Sequence, residues 1–160
     1  MRRLALFSAA VAVGCASEIG SLDSAEPEGM GEMGEISGVV TRSAEVQGDG
    51  IGNVIVLVFY GVSPAVDRSP HNALVLPYED LSQPGAEVAY RIQNLFPEPE
   101  PYTVLAVFDE DDSLMDSMDW VPTEGDLLSS ALDSGDSPVV LIGQDVACDL
   151  TLDLSVVYRD

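Results

Sequence analysis

The chain predicts an all-β protein: an antiparallel, seven-stranded β-sandwich that follows an export leader and a flexible linker. Three observations predict it. Apolar residues come in short runs rich in Val, Ile, Phe and Tyr, separated by Gly and Pro turns. No stretch carries the 3.6-residue periodicity of a long amphipathic helix, and no strand–helix alternation suggests a parallel sheet. The last run alternates strictly, with Val146, Cys148, Leu150, Leu152, Leu154 and Val156 set against Asp145, Ala147, Asp149, Thr151, Asp153 and Ser155. Only a strand with one buried and one wet face needs that spacing.

The strands follow in order. Ile36–Thr41 opens the domain as a short β-branched run. Asn53–Gly61 (Asn-Val-Ile-Val-Leu-Val-Phe-Tyr-Gly) follows the turn-rich Gly48-Asp49-Gly50-Ile51-Gly52. Asn72–Leu76 lies between Pro70 and Pro77, as an edge strand would. Glu87–Ile92 places Val88, Tyr90 and Ile92 on one face. Tyr102–Phe108 leaves the proline-rich turn Phe96-Pro97-Glu98-Pro99-Glu100-Pro101, and Val139–Ile142 precedes the final strand. In the long connection between these last elements, Glu124–Leu132 suits one or two helical turns.

Ahead of the domain, Met1-Arg2-Arg3 and the run Leu4–Val13, apolar apart from Ser8, read as a secretory leader, too short to span a bilayer, which takes about 20 apolar residues. Ala12-Val13-Gly14-Cys15 resembles the lipobox of bacterial lipoproteins, with Ala12 where that motif prefers Leu, Val or Ile. The resemblance implies cleavage before Cys15, a diacylglycerol on its thiol and an acylated amino group. It divides the chain into a signal peptide (1–14), a tether (15–34) and the sandwich (35–160). It also implies a lipid-anchored protein of the cell envelope, with Ala16 after the cysteine resembling outer-membrane-sorted lipoproteins. The tether is acidic and Gly-rich, with too few large apolar residues to fold alone and a coil reach on the order of 25 Å. Lipidation of Cys15 leaves Cys148 unpaired, and the alternation puts it on the apolar face.

Charge excludes whole classes of partner. The chain has 28 acidic residues, 6 basic ones and no lysine, for a net charge of −22. A surface of that sign repels nucleic-acid phosphates and anionic headgroups, so lipid on Cys15 is the membrane attachment. It suits divalent cations, basic partners or high salt, and serves solubility as well.

The order Ile36-x-Gly38-x-Val40-Thr41, Val54-x-Val56-x-Val58, Tyr90-x-Ile92-x-Asn94-Leu95 and Tyr102-x-Val104-x-Ala106-x-Phe108-Asp109 resembles the transthyretin-like (prealbumin-like, carboxypeptidase regulatory-like) modules. The pattern covers most of residues 35 to 158. It implies an Ig-like sandwich of a kind common in bacterial envelope lipoproteins, and no particular activity.

The densest chemical feature is Asp109–Asp119, directly after a predicted strand. Asp109, Asp111 and Ser113 alternate as the first ligands of a calcium loop do. Related lipoprotein sandwiches carry an Asp-x-Asn-x-Asn-Gly loop closed by later acids. With that glycine missing and one residue deleted, Asp116 and Asp119 fall at the closing positions. A regular EF-hand does not fit, because its twelfth position is Trp120. The other reading of the run is a solvated acidic loop. Trp120, with Tyr60 and Tyr78, offers aromatic surface for a protein, peptide or glycan, or else packs the core.

Enzymatic signatures are thin. The only histidine, His71, lies in a turn, no Gly-x-Ser-x-Gly elbow occurs, and the usual zinc ligand set is lacking. Transthyretin-related 5-hydroxyisourate hydrolases end in Tyr-Arg-Gly-Ser, whereas this chain ends in Tyr158-Arg159-Asp160. Their paired histidines have no counterpart beyond His71. The expected function is therefore a non-catalytic binding or structural module, stiffened by calcium, with hydrolase-like activity as the alternative.

Overall fold

The structure is a computed structural model and describes residues 33–46, 50–61, 69–96, 100–114, 120–132, 139–140 and 147–159. Residues 1–32, which include Cys15 and the expected leader and most of the expected tether, lie outside the described residues, as do Asp116 and Asp119. The strands are β1 (Gly34–Arg42), β2 (Ile51–Tyr60), β3 (Asn72–Asp80), β4 (Glu87–Leu95), β5 (Tyr102–Asp109), β6 (Leu127–Leu128), β7 (Val139–Val140), β8 (Ala147–Leu154) and β9 (Val156–Val157). Apart from Ser113 and Leu114, which are helical, no helix occurs among the described residues, and two sheets pack together. The smaller has the order β4-β1-β8, and the larger β3-β2-β5-β6-β9, with β7 also paired to β5. All but one of the pairings are antiparallel. The exception corrects the expected uniform topology: β1 and β8 run parallel. More than a hundred residues separate them, so no hairpin constrains their direction.

The alternating residues of both sheets meet in one core. Ile36 and Val40 of β1, Val88, Tyr90 and Ile92 of β4, and Leu152 and Leu154 of β8 face Val54, Val56, Val58, Val104, Ala106 and Phe108 of the larger sheet. Glycine is obligatory at one contact within the smaller sheet: a Cβ on Gly38 would lie 1.9 Å from the Leu150 carbonyl oxygen. The register slips at that point, Ile36 facing Ala147 and Gly38 facing Leu150, and Asp149 takes up the extra residue at φ 60°. Ala147, rather than Cys148, therefore stands opposite Ile36; the Cys148 side chain lies outside the described residues.

The larger sheet is covered on its other face too. Ile55, Leu57, Phe59, Leu105 and Val107 form a second core with Leu114, Leu128 and Leu132 from the connection after β5. This explains why Val54–Phe59 and Val104–Phe108 are apolar throughout instead of alternating.

Two sequence expectations change. Glu124–Leu132 holds a turn and the short strand β6 where one or two helical turns were expected. Leu127 joins the inter-sheet core and Leu128 the second core, and only a strand sends consecutive side chains to opposite faces. The final alternating run is also not one strand. It breaks at Ser155, whose N–H bonds the Leu128 carbonyl at 3.0 Å, so β8 stays in the smaller sheet while β9 pairs with β6 in the larger. A chain that crosses between sheets in this way closes one corner of the sandwich.

Candidate metal site at the acidic end of the larger sheet

The site starts from the end of β5. Asn53 of β2 pairs with Asp109, so the chain leaves the sheet at the acidic run. That exit passes close over β2. A Cβ on Gly52 would lie 2.6 Å from the Asp109 carbonyl oxygen and 3.0 Å from the Glu110 Cα. Asp112 turns the loop back at φ 62°, and the Asn53 amide Nδ2 donates to its carboxylate at 2.6 Å.

Asp109 is fully buried. Its two oxygens accept from the backbone N–H groups of Ser113, at 3.1 Å, and Leu114, at 3.2 Å. The Ser113 N–H also reaches Asp111 at 3.0 Å. Leu114 is anchored in the second core, so packing beneath the sheet holds the loop around the carboxylates.

Asp126 reaches the same place from the far side. Its Oδ2 accepts from the Thr123 N–H at 2.7 Å and from the Thr123 hydroxyl at 3.3 Å. Tyr158 and the 125–126 turn exchange backbone bonds of 2.8 and 3.1 Å, which tie Asp126 to the end of β9. A 2.9 Å hydrogen bond between the Ser113 and Thr123 hydroxyls joins the two halves.

Carboxylate oxygens of Asp109, Asp111 and Asp126 all lie within 4.8 Å of one another. Burial pushes the Asp126 carboxyl up to about 6, and negative charge on Asp109 and Asp111 adds to the rise. Burial also raises Asp109, with its contact to Asp111 acting the same way. Asp111, held by Ser113, stays below the ordinary carboxylate range. Hard oxygen donors are what calcium takes, at 2.3–2.6 Å, so ligands on opposite sides of one ion stand about 5 Å apart. Three carboxylates at this spacing, beside two hydroxyls, fit such an ion.

The structure thus brings together Asp109 and Asp111, with Ser113 acting through its N–H and hydroxyl. Sequence reading missed Asp126. The available signal was Thr123-Glu124-Gly125-Asp126, a Thr-x-x-acid pattern of the capping kind before Leu127-Leu128. Nothing local ties that turn to a loop on another strand.

The other singled-out side chains lie elsewhere. Trp120 is half-buried, with its ring edge-on to Phe59 at 4.8 Å between centroids and 64° between planes. Tyr60 and His71 sit at the opposite end of the larger sheet from Asp109, where the Tyr60 hydroxyl meets His71 Nε2 at 3.2 Å. Both rings stack with Tyr102, whose hydroxyl donates to the Phe96 carbonyl at 2.7 Å. Arg159 follows β9, at the other edge of the sheet from the β3 strand that His71 precedes. Tyr78 is 78% exposed. Comparison with protein families, curated proteins and solved structures finds no match to this chain.

Proposed function

We propose that the domain is a non-catalytic envelope module, anchored through lipid on Cys15 and stiffened by calcium held between the β5 loop and the 123–126 turn. The observation that carries the calcium reading is the convergence of Asp109 and Asp126, both buried, with Asp111. Burying like charges side by side costs several kcal/mol unless a cation or protons compensate. Calcium there would hold together the β5 exit, the cover of the second core and the end of β9, which is a stiffening role. The transthyretin-like resemblance and the lipobox at Cys15 support placement in a bacterial envelope. The alternative hydrolase reading needs His71 and Arg159 in one cleft, and the strand order sets them at opposite edges of the larger sheet.

A thermal melt tests the calcium reading. With calcium near 1 mM and a Kd of about 0.1 mM, stability rises by about 1.4 kcal/mol over chelator. An unmoved melting temperature, or an unchanged response after Asp109→Ala with Asp111→Ala, removes the site. Detergent partitioning of the expressed protein against Cys15→Ser tests the anchor. A wild type as soluble as the variant refutes it.

A further inference from the structure

The long outer strands of the two sheets are β4 and β8 in the smaller and β3 in the larger, each with one neighbour among the described residues. An edge strand presents N–H and C=O groups to any incoming strand, but the edges differ in what remains to be covered. On β4, Val88, Tyr90 and Ile92 are already buried, as are Leu152 and Leu154 on β8. On β3, Leu74 and Leu76 pack against the inter-sheet core and Val75 against the second core, yet all three stay half-buried. One added strand there would complete both cores at once.

The far end of this edge is marked by a bulge. Gly52 faces Glu79 but Val54 faces Leu76, so β3 holds an extra residue at Pro77-Tyr78. Tyr78 adopts φ 60° there and projects into solvent, and Ile51, opposite Asp80, is 63% exposed. A bulge both ends regular pairing and re-aims a side chain, and an exposed tyrosine is a common binding anchor. Beyond it come Glu79 and Asp80, the latter kept ionised by hydrogen bonds from Ser82. The loop from Asp109 to Asp112 lies one strand further across. Edges are guarded by charged side chains, proline or bulges; on β3 the bulge, Pro77, Glu79 and Asp80 all follow Leu76, which leaves Ala73–Leu76 without a guard, and the chain has no lysine. A second copy carrying a net charge of −22 would be repelled.

We propose that β3 is a docking edge for an extended basic segment of another protein. The segment adds as a strand along Ala73–Leu76, with apolar side chains over Leu74, Val75 and Leu76, and sets lysine or arginine against Glu79 and Asp80. This rests on reading the domain as a binding module, but not on calcium. The test is amide exchange of the whole protein with a synthetic peptide of alternating valine and threonine flanked by lysines, and with the same peptide flanked by glutamates. At ten times its Kd, the lysine peptide slows exchange across Ala73–Leu76 about tenfold. Glu79→Lys with Asp80→Lys weakens it about tenfold, as two exposed charge pairs reversed would, and shifts preference to the glutamate peptide. Four results overturn the proposal: no slowing, slowing on β4 or β8 instead, equal binding of both peptides, or an edge already protected in the free protein by its own chain or a second copy. A protein that ignores calcium yet takes the peptide refutes only the calcium reading; one that answers calcium and refuses the peptide refutes only this one.

Discussion

Asp126→Asn separates a cation site from a structural hydrogen-bond cap. The substitution keeps an oxygen to accept from the Thr123 N–H and hydroxyl, and removes only charge. The Asp126 carboxyl stands at about 6 against an ordinary 3.8. Two units at 1.36 kcal/mol each give about 3 kcal/mol. Water at the exposed Asp111 side screens part of this, so about 1–1.5 kcal/mol is the expected cost of ionised Asp126 in chelator. Between pH 4 and 6 the folded protein holds a proton that the unfolded chain has lost, so stability falls as pH rises through that window. In chelator at pH 7.5, Asp126→Asn should therefore melt higher than wild type by roughly 3–5 °C. At pH 4 the two should converge. In 1 mM calcium the gap should close, because wild type gains about 1.4 kcal/mol, which offsets its deficit, and the variant gains little. Circular dichroism melts of both proteins at the two pH values, with and without calcium, read all of this. A variant less stable than wild type in chelator at pH 7.5, or an equal calcium gain in both, would refute the reasoning.

Three further outcomes are expected. Gly38→Ala should cost about 3 kcal/mol or more in urea unfolding, since the new methyl would overlap the Leu150 carbonyl and force β1 from β8; a loss below about 1 kcal/mol would contradict the close approach. Leu128→Ala should lose about 2–5 kcal/mol by opening a cavity in the second core, and unchanged stability would mean that the cover is not packed on the sheet. Fluorescence of Trp120, the single tryptophan, should respond to calcium, because the β5 loop and the residue both pack on the second core. A signal blind to saturating calcium would uncouple the loop from that core.

Much of the fold was legible because strand signals are local. Val88, Tyr90 and Ile92 alternate within one segment, and the structure buries all three. The β2 and β5 runs were legible as strands, but their second buried face was not, since an unbroken apolar run does not name what lies on each side. The helical expectation at Glu124–Leu132 failed for a related reason: two leucines carry no periodicity, and their separate destinations are set by β5 and β9. The candidate site was half legible. Asp109, Asp111 and Ser113 share one loop, whereas Asp126 reaches them only because β6 pairs with both β5 and β9.

By itself, the sequence determined the all-β class, the position of the long strands and the acidity of the chain. These follow from composition and from a two-residue period, which depend on neighbours along the chain. The tertiary structure decided which strands are neighbours, where the last run crosses between sheets, which acids converge, and which edge keeps its apolar side chains half-covered. Each depends on register between segments tens of residues apart, and that register is set by the joint packing of two cores.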